Sequence, residues 1–496
     1  MKRFIVYTRY SLVLFMVGCI IGCTDVLEEN PVSVVAPSNF YKTDSDFEAA
    51  INGSLRALFG GYGNFSNVPP HIISAGAEDT SSRAAAPSLN EFDTFQPTVN
   101  NNFARNMWIA LYNSINVCNS LIANIDGATE VSDTNKRSYE GQARYIRALS
   151  YFYLTRWWGE VPIITFENQL DAANVGQSSV AAIYEVIVDD LTYAESNLPL
   201  TFEDRGRPTK GAAQIMLAEV YLNMAGWPLK DSSKYTLARD MAKKVIDSGI
   251  YSLEDEFLDL WLVANKTTNT EFIFAFYGSP FNGAGATSPV HQSMRPGEEG
   301  GFNTVLSEAR FFYSFPEGPR KDATFWTVFA DEANTTWEES AQGKPVIAKY
   351  RDGGVAASRD QGLVNGSAGE GFFVVNRYAE ALLIYAEASN MAEGMPSQDA
   401  LDALNMVRRR ASGYDQSVYP DLLPGMAQQA FDEAVINERK WEFAFEVKRW
   451  FDLVRKEMVV SANIDLYPNV KEHNRLLPKP QTEVDLINGL EQNEGY

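Results

Sequence analysis

Most of the chain carries apolar residues at helical intervals. Between Glu140 and Trp157, EGQARYIRALSYFYLTRW places Tyr145, Ala148, Leu149 and Phe152 on one face of a predicted helix. Gly159 supplies a C-terminal stop and Pro162 prevents continuation. The same period predicts helices from Val180 to Asn197, Lys210 to Ala225, Tyr235 to Ser248, Arg377 to Glu393 and Gln398 to Ala411. A last long helix is predicted from Phe431 to Glu457.

Three of these segments come as pairs. KGAAQIMLAEVYLNMA is followed by YTLARDMAKKVIDSG, and RYAEALLIYAEASNMAEG by QDALDALNMVRRRA, with alanines where antiparallel helices would cross closely. Both look like tetratricopeptide-type pairs, spaced too irregularly for a repeat array. Residues 140–197 supply a third pair, interrupted by GEVPIITFENQLDAANVGQSS. The expected fold class is therefore all-α: a helical scaffold with embedded tetratricopeptide-like pairs, standing singly between long irregular loops. Those loops, Ser66–Asn102, Gly278–Phe302 and Thr335–Phe373, are rich in Gly, Pro, Ser and Asn. Long irregular segments on a rigid body suit binding.

The N-terminus sets an address. Lys2, Arg3 and Arg9 precede an apolar or small-residue run from Leu12 to Gly22. As a helix that run spans about 16 Å, short of the roughly 30 Å of a bilayer core, so it reads as a secretory leader. Ile20-Ile21-Gly22-Cys23 looks like a bacterial lipobox, with Cys23 acylated as the first mature residue. Met16-Val17-Gly18-Cys19 competes poorly, having less apolar sequence before it. Two or three acyl chains anchor stably where one does not. Asp25, Glu28 and Glu29 resemble the acid-rich export signal of Bacteroidetes surface lipoproteins.

Composition narrows the function classes. Of 496 residues, 474 follow the expected cleavage, enough for one large fold or two to three domains. Loss of the leader takes the formal charge from −22 to −25. Such a surface argues against nucleic acid and anionic membrane as partners. The three cysteines allow no disulfide framework: Cys19 leaves, Cys23 carries lipid and Cys118 lies in an apolar helical pattern as a core residue.

An ordered set of segments resembles one family across nearly the whole mature chain. These are CTDVLEENP (23–31), RALSYFYLTRWWGEVPI (147–163), DDLTYAESNLP (189–199), GRPTKGAAQIMLAEVYLNMA (206–225), RYAEALLIYAEASN (377–390), ALNMVRRRA (403–411), INERKWEFAFEVKRWFDLVR (436–455) and a terminal LLPKPQTEVDL…NEGY. They resemble the SusD/RagB nutrient-binding lipoproteins of the Bacteroidetes outer membrane. The resemblance implies a leader over 1–22, an N-terminal region over 23–250 and a C-terminal region over 251–496, forming one globular fold. It also implies a non-enzymatic role as capture subunit over a SusC-like TonB-dependent transporter, with oligosaccharides as ligands and no cofactor.

The candidate chemistry divides in two. Glu438, Glu442 and Glu446 repeat at i+4 spacing, and a carboxylate pair is what a glycosidase needs. On one helix they would share a face with Arg439 and Arg449 close by, so a structural ion network is the expected reading, with Arg144 and Arg147 as partners. His71, His291 and His473 are scattered, no Cys-x-x-Cys occurs, and no metal site is expected. Sugar binding needs aromatic faces beside planar polar groups. The loops provide Glu78, Asp79, Arg83, Phe95 and Asn101, then Phe281, His291 and Arg295, with Trp326 shortly after. In the family, loops at about these chain positions line the glycan site, which makes these nine the candidate ligand contacts.

Three functions compete at this stage: glycan capture for a transporter, peptide uptake on the same architecture, and a lipid-anchored glycoside hydrolase. Capture is favoured, because short isolated helix pairs make a poor peptide groove. The lipid anchor has a direct test. Made in a host that processes lipoproteins, the wild-type chain should enter the detergent phase of a Triton X-114 partition, and Cys23→Ala should stay aqueous. A wild-type chain that stays aqueous contradicts the lipobox.

Overall fold

The computed structural model describes residues 40–60, 64–65, 69–82, 87–277, 294–299, 301–329, 331–350 and 372–496. The leader, Cys23, Arg83, Phe281 and His291 lie outside the described residues. The α-helices of six residues or more are α1 (Asp44–Phe59), α2 (Asn102–Asn124), α3 (Asp133–Trp158), α4 (Val180–Asn197), α5 (Lys210–Ala225) and α6 (Lys234–Asp247). After them come α7 (Ala309–Ser314), α8 (Pro319–Thr324), α9 (Tyr378–Glu393), α10 (Gln398–Ala411), α11 (Gln428–Glu442), α12 (Arg449–Arg455) and α13 (Gln481–Leu486). Side-chain oxygens start many of them: Asn101, Ser132, Ser179, Thr209 and Ser397 each accept from a backbone N–H of the first turn. Gly159, at φ 72°, ends α3.

The three expected pairs, α3–α4, α5–α6 and α9–α10, pack together, but they do not stand singly. Helix α2 lies on α3, α4 on α5, and α6 on α9, so the pairs join into one continuous stack ending at α11. The chain leaves this stack after α6 and returns at α9. Between them it forms the larger part of a set of two-stranded antiparallel sheets. The strands are β1 (Thr80–Ser82), β2 (Val161–Pro162), β3 (Gln177–Ser178), β4 (Phe272–Tyr277), β5 (Val305–Ser307), β6 (Phe325–Trp326), β7 (Val346–Ile347) and β8 (Phe372–Arg377). They pair as β1–β5, β2–β3, β4–β8 and β6–β7. The fold is all-α in its scaffold, with sheets as local clasps. Among the described residues, no helix is long and apolar enough to cross a membrane.

The helix expected from Phe431 to Glu457 is broken. It stops at Glu442, and α12 begins at Arg449. Phe445 (φ 63°) and Val447 (φ 59°) between them sit in the left-handed region. Buried charge accounts for the break. The turn sends Glu446 and Lys448 to different partners and frees the backbone of Phe445 for others.

Glu442 accepts from three guanidinium groups, those of Arg377 at 2.6 Å, Arg320 at 2.8 Å and Arg410. Glu446 takes Arg377 at 2.9 Å and Lys349 at 2.8 Å, and Glu438 takes Arg320. Glu271 bridges Arg377 and Arg410 at 2.7 and 2.9 Å. On the other side Lys448 joins Glu219 and Glu380, each at 3.0 Å, and Arg439 joins Asp452 at 2.9 Å. Burial alone would raise the Glu442 carboxyl, but Arg410, Arg377 and Arg320 outweigh it and hold it well below the usual range. Burial pushes Lys349 down to about 8 against the pull of Glu446.

Two expected partners belong elsewhere. Arg144 and Arg147 do not reach these glutamates; they meet Asp190 of α4 at 3.0 and 2.7 Å, where they fasten α3 to α4. Both face the neighbouring helix of their own pair, a relation that sequence spacing does not distinguish from a longer reach.

Glu442→Gln would leave three buried guanidinium groups short of a counter-charge, at a cost of about 3–5 kcal/mol. Exposed Glu433→Gln on the same helix should change stability by less than about 0.5 kcal/mol. Urea unfolding of the two variants checks the difference, and equal midpoints contradict the network's role.

Candidate functional site

The break at 443–448 organises the base of the first long loop. The Phe445 N–H donates to Asp79 Oδ2 at 3.0 Å, while its carbonyl accepts from Tyr350 Oη at 2.9 Å and His71 Nε2 at 3.0 Å. Glu78 pairs with Arg449 at 2.7 Å and Lys440 at 3.2 Å. The chain then enters β1, paired antiparallel with β5 so that Thr80 faces Ser307. Ser81 Oγ and the Ser82 N–H donate to Asp93, whose other oxygen receives Tyr467 Oη at 3.1 Å. Tyr467 Oη also lies 3.1 Å from Glu308, which pairs with Lys344 at 3.0 Å. The first and third loop regions are thus tied at one place, through residues 305–308.

Above this clasp stands a small second core of Leu306, Trp326, Phe329, Trp337, Val346 and Ala348. Trp326 Nε1 donates to Glu299 at 2.9 Å, and the Ala341 N–H donates to Glu298 at 3.2 Å, which fixes these two glutamates against β6 and the turn at Ala341. Tyr313 projects beside this core, 66 % exposed, and Phe302, four residues before Leu306, is 56 % exposed. The Tyr313 ring is braced by Trp337 at 5.9 Å between centroids. Arg295 lies half-buried at the edge, 3.7 Å from Glu299.

These positions correct much of the residue-level expectation. Asp79 is buried with its oxygens held by Phe445 and Thr80, and Glu78 is enclosed by two cations. Phe95 is buried against Tyr467, and Asn101 caps α2 while also holding Ser88 and Glu91. Trp326 is wholly buried. Each fastens a loop to the scaffold, because a planar polar or aromatic side chain that suits a sugar suits a neighbouring backbone equally well. Of the described candidates, Arg295 alone stays at the rim of the exposed face. Phe302 and Tyr313, the exposed aromatics of this region, were not among the expected contacts. Helical spacing carried a signal for Tyr313: Phe311 and Phe315, four apart, turn inward in SEARFFYSF and leave it outward.

The tempting carboxylates fare differently. Glu438, Glu442 and Glu446 are all buried and saturated by cations, so none is placed as a general acid or nucleophile toward solvent. Among the described residues no group of three His, Cys, Asp or Glu is placed to hold a metal ion.

Comparison with known proteins follows from this architecture. Residues 321–496 match the family described as "SusD family", and residues 34–222 match "Starch-binding associating with outer membrane". The chain belongs to the SusD/RagB family. It is 29 % identical to SusD-like protein P2 of Formosa agariphila over 96 % of this chain and 97 % of that one. A solved SusD homolog from Bacteroides thetaiotaomicron has the same fold, with a TM-score of 0.79 at 24 % identity, covering 93 % of this chain and 98 % of the other. Surface glycan-binding protein A of Bacteroides thetaiotaomicron, solved in complex with laminarihexaose, superposes with a TM-score of 0.75 at 22 % identity over 91 % of this chain and all of its own.

One clamp residue makes the arrangement pH-sensitive in a defined direction. His71 is fully buried, and burial lowers it from 6.5 to about 4 despite its bond to Phe445. The unfolded chain therefore takes up this proton near pH 6.5 and the folded chain only near 4. Stability falls as pH drops through that interval, by about 3 kcal/mol in all. His71→Gln should flatten the slope of unfolding free energy against pH between 6.5 and 4. An unchanged slope contradicts the assignment.

Proposed function

We propose that this SusD/RagB protein is a lipid-anchored outer-membrane protein, facing the cell exterior, that captures oligosaccharides or polysaccharide fragments without cleaving them. It then delivers them to a SusC-like TonB-dependent transporter. The observation that carries the reading is the exposed ring of Tyr313, braced by Trp337 on a platform clasped at β1–β5, with Phe302 exposed as well. A pyranose presents an apolar C–H face that stacks on such a ring, and the half-buried Arg295 at the edge offers a donor for its hydroxyls. Laminarihexaose in the superposed surface glycan-binding protein supports the same ligand class. Non-catalytic capture is supported by the sequestration of the three helical glutamates. The anchor and the outward orientation rest on the lipobox at Cys23 and its acidic flank, and the transporter partner rests on family membership.

Purified chain from Thr24 onward, run through affinity gels holding plant, host and microbial polysaccharides, tests the reading. The expected result is retardation by one polymer class with no new reducing ends. New reducing ends would overturn non-catalytic capture. Tyr313→Ala should weaken that retention about tenfold, near 1.4 kcal/mol, with unfolding unchanged. Full retention by the variant would move the site elsewhere.

A further inference from the structure

The turn that follows α5 and the segments 471–476 and 493–494 line a pocket that shares no residue with the aromatic platform. Its volume is about 400 Å³, within the roughly 300–1,000 Å³ common for small-ligand sites. Trp227, His473 and Arg475 contribute to its lining, with Lys471, Asn493 and Glu494.

These side chains are held in place by the scaffold. The Trp227 N–H donates to the Arg455 carbonyl at 2.9 Å. Arg475 pairs with Glu472 and, at 3.3 Å, with Glu457, and its guanidinium lies 5.5 Å from the centre of the Trp227 ring. Asn493 Nδ2 donates to the carbonyls of Trp158 and Leu477 at 3.1 and 2.8 Å. Tyr496 Oη donates to the Leu476 carbonyl at 2.9 Å, and His473 meets the Tyr496 ring edge-on at 5.2 Å. A pocket fixed in this way loses little freedom when a ligand enters.

The groups left over are within reach of a ligand. Trp227 and His473 are half-buried and Glu494 is exposed. Among the described residues, the Trp227 indole N–H, the His473 ring nitrogens and the Glu494 carboxylate form no hydrogen bond. Of the lining residues, Lys471 and Arg475 balance Glu472 and Glu494, so their charges favour neither an anion nor a cation. What matches such a pocket is an uncharged molecule with an apolar face for the indole and groups that both donate and accept. A sugar ring has both, since every hydroxyl is donor and acceptor at once.

We infer that this pocket is a second saccharide site, in which a neutral hexose ring lies against Trp227 and its hydroxyls reach His473 and Glu494. The inference rests on the glycan reading above and adds a site apart from the platform.

The probes are laminarihexaose, cellohexaose, maltohexaose and mannohexaose, and the readout is hydrogen–deuterium exchange in peptides covering 471–477 and 490–496. At least one probe should slow exchange there, in the wild type and in Tyr313→Ala alike. Trp227→Leu, which keeps an apolar side chain against the core, should weaken that effect about tenfold. Glu494→Ala, at an exposed position, should weaken it about threefold with the unfolding midpoint unchanged. Protection confined to 294–343 overturns the second site and leaves glycan capture standing. Loss of the 471–496 protection in Tyr313→Ala overturns its independence of the platform. Wild-type behaviour of both Trp227→Leu and Glu494→Ala overturns the residues assigned to it. Protection in neither region by any probe removes this inference together with the glycan reading.

Discussion

A carboxylate shared by three guanidinium groups, out of reach of water, is the constraint on which the rest of the molecule is arranged. Glu442 lies where α8, β8 and α10 send Arg320, Arg377 and Arg410 to one point. Ions placed there cost several kcal/mol each to desolvate, and they are tolerable only when every partner arrives in the correct place. The network therefore acts as a demand on geometry. It fixes where α11 must stop, which sends Glu446 to Arg377 and Lys349 and Lys448 to Glu219 and Glu380.

The same stop leaves the backbone of Phe445 outside any helix, and chain-distant groups take it up. His71 and Asp79 come from the start of the first long loop and Tyr350 from the end of β7's segment. A polar core in the C-terminal half thus sets the base of a loop in the N-terminal half, and the β1–β5 clasp carries that placement to the aromatic platform. Charge is partitioned along the same lines. The chain has 42 Lys and Arg against 64 Asp and Glu, and a good part of its cations lie in the interior network. Buried carboxylates nearly match those buried cations, so the excess of negative charge lies on the outer face.

What the sequence made legible follows from the period of its signals. The helices and their pairing were visible because apolar spacing and cap residues agree, as at Ser132, Ser179 and Thr209. The joining of α6 to α9 was not, since no local pattern reports which distant face covers an apolar stripe. Strands β4 and β8 were hidden as well: FIFAFY and FFVVNR are buried almost throughout, so they lack the alternation that marks a strand. The break after Glu442 falls in residues that favour helix locally, and tertiary ion pairs override them. At the candidate site, residue type suggested sugar contacts at Asp79, Phe95, Asn101 and Trp326, whereas each is taken up by its own loop. Tyr313 gave its position away only through the inward phase of its neighbours.

Hydrogen–deuterium exchange of the chain, with and without a polysaccharide that it retains, tests the central claim most directly. The account predicts ligand-dependent protection in peptides covering 294–303 and 309–343, with the α2–α6 stack unchanged. Protection confined to that stack, with those peptides unaffected, would contradict it.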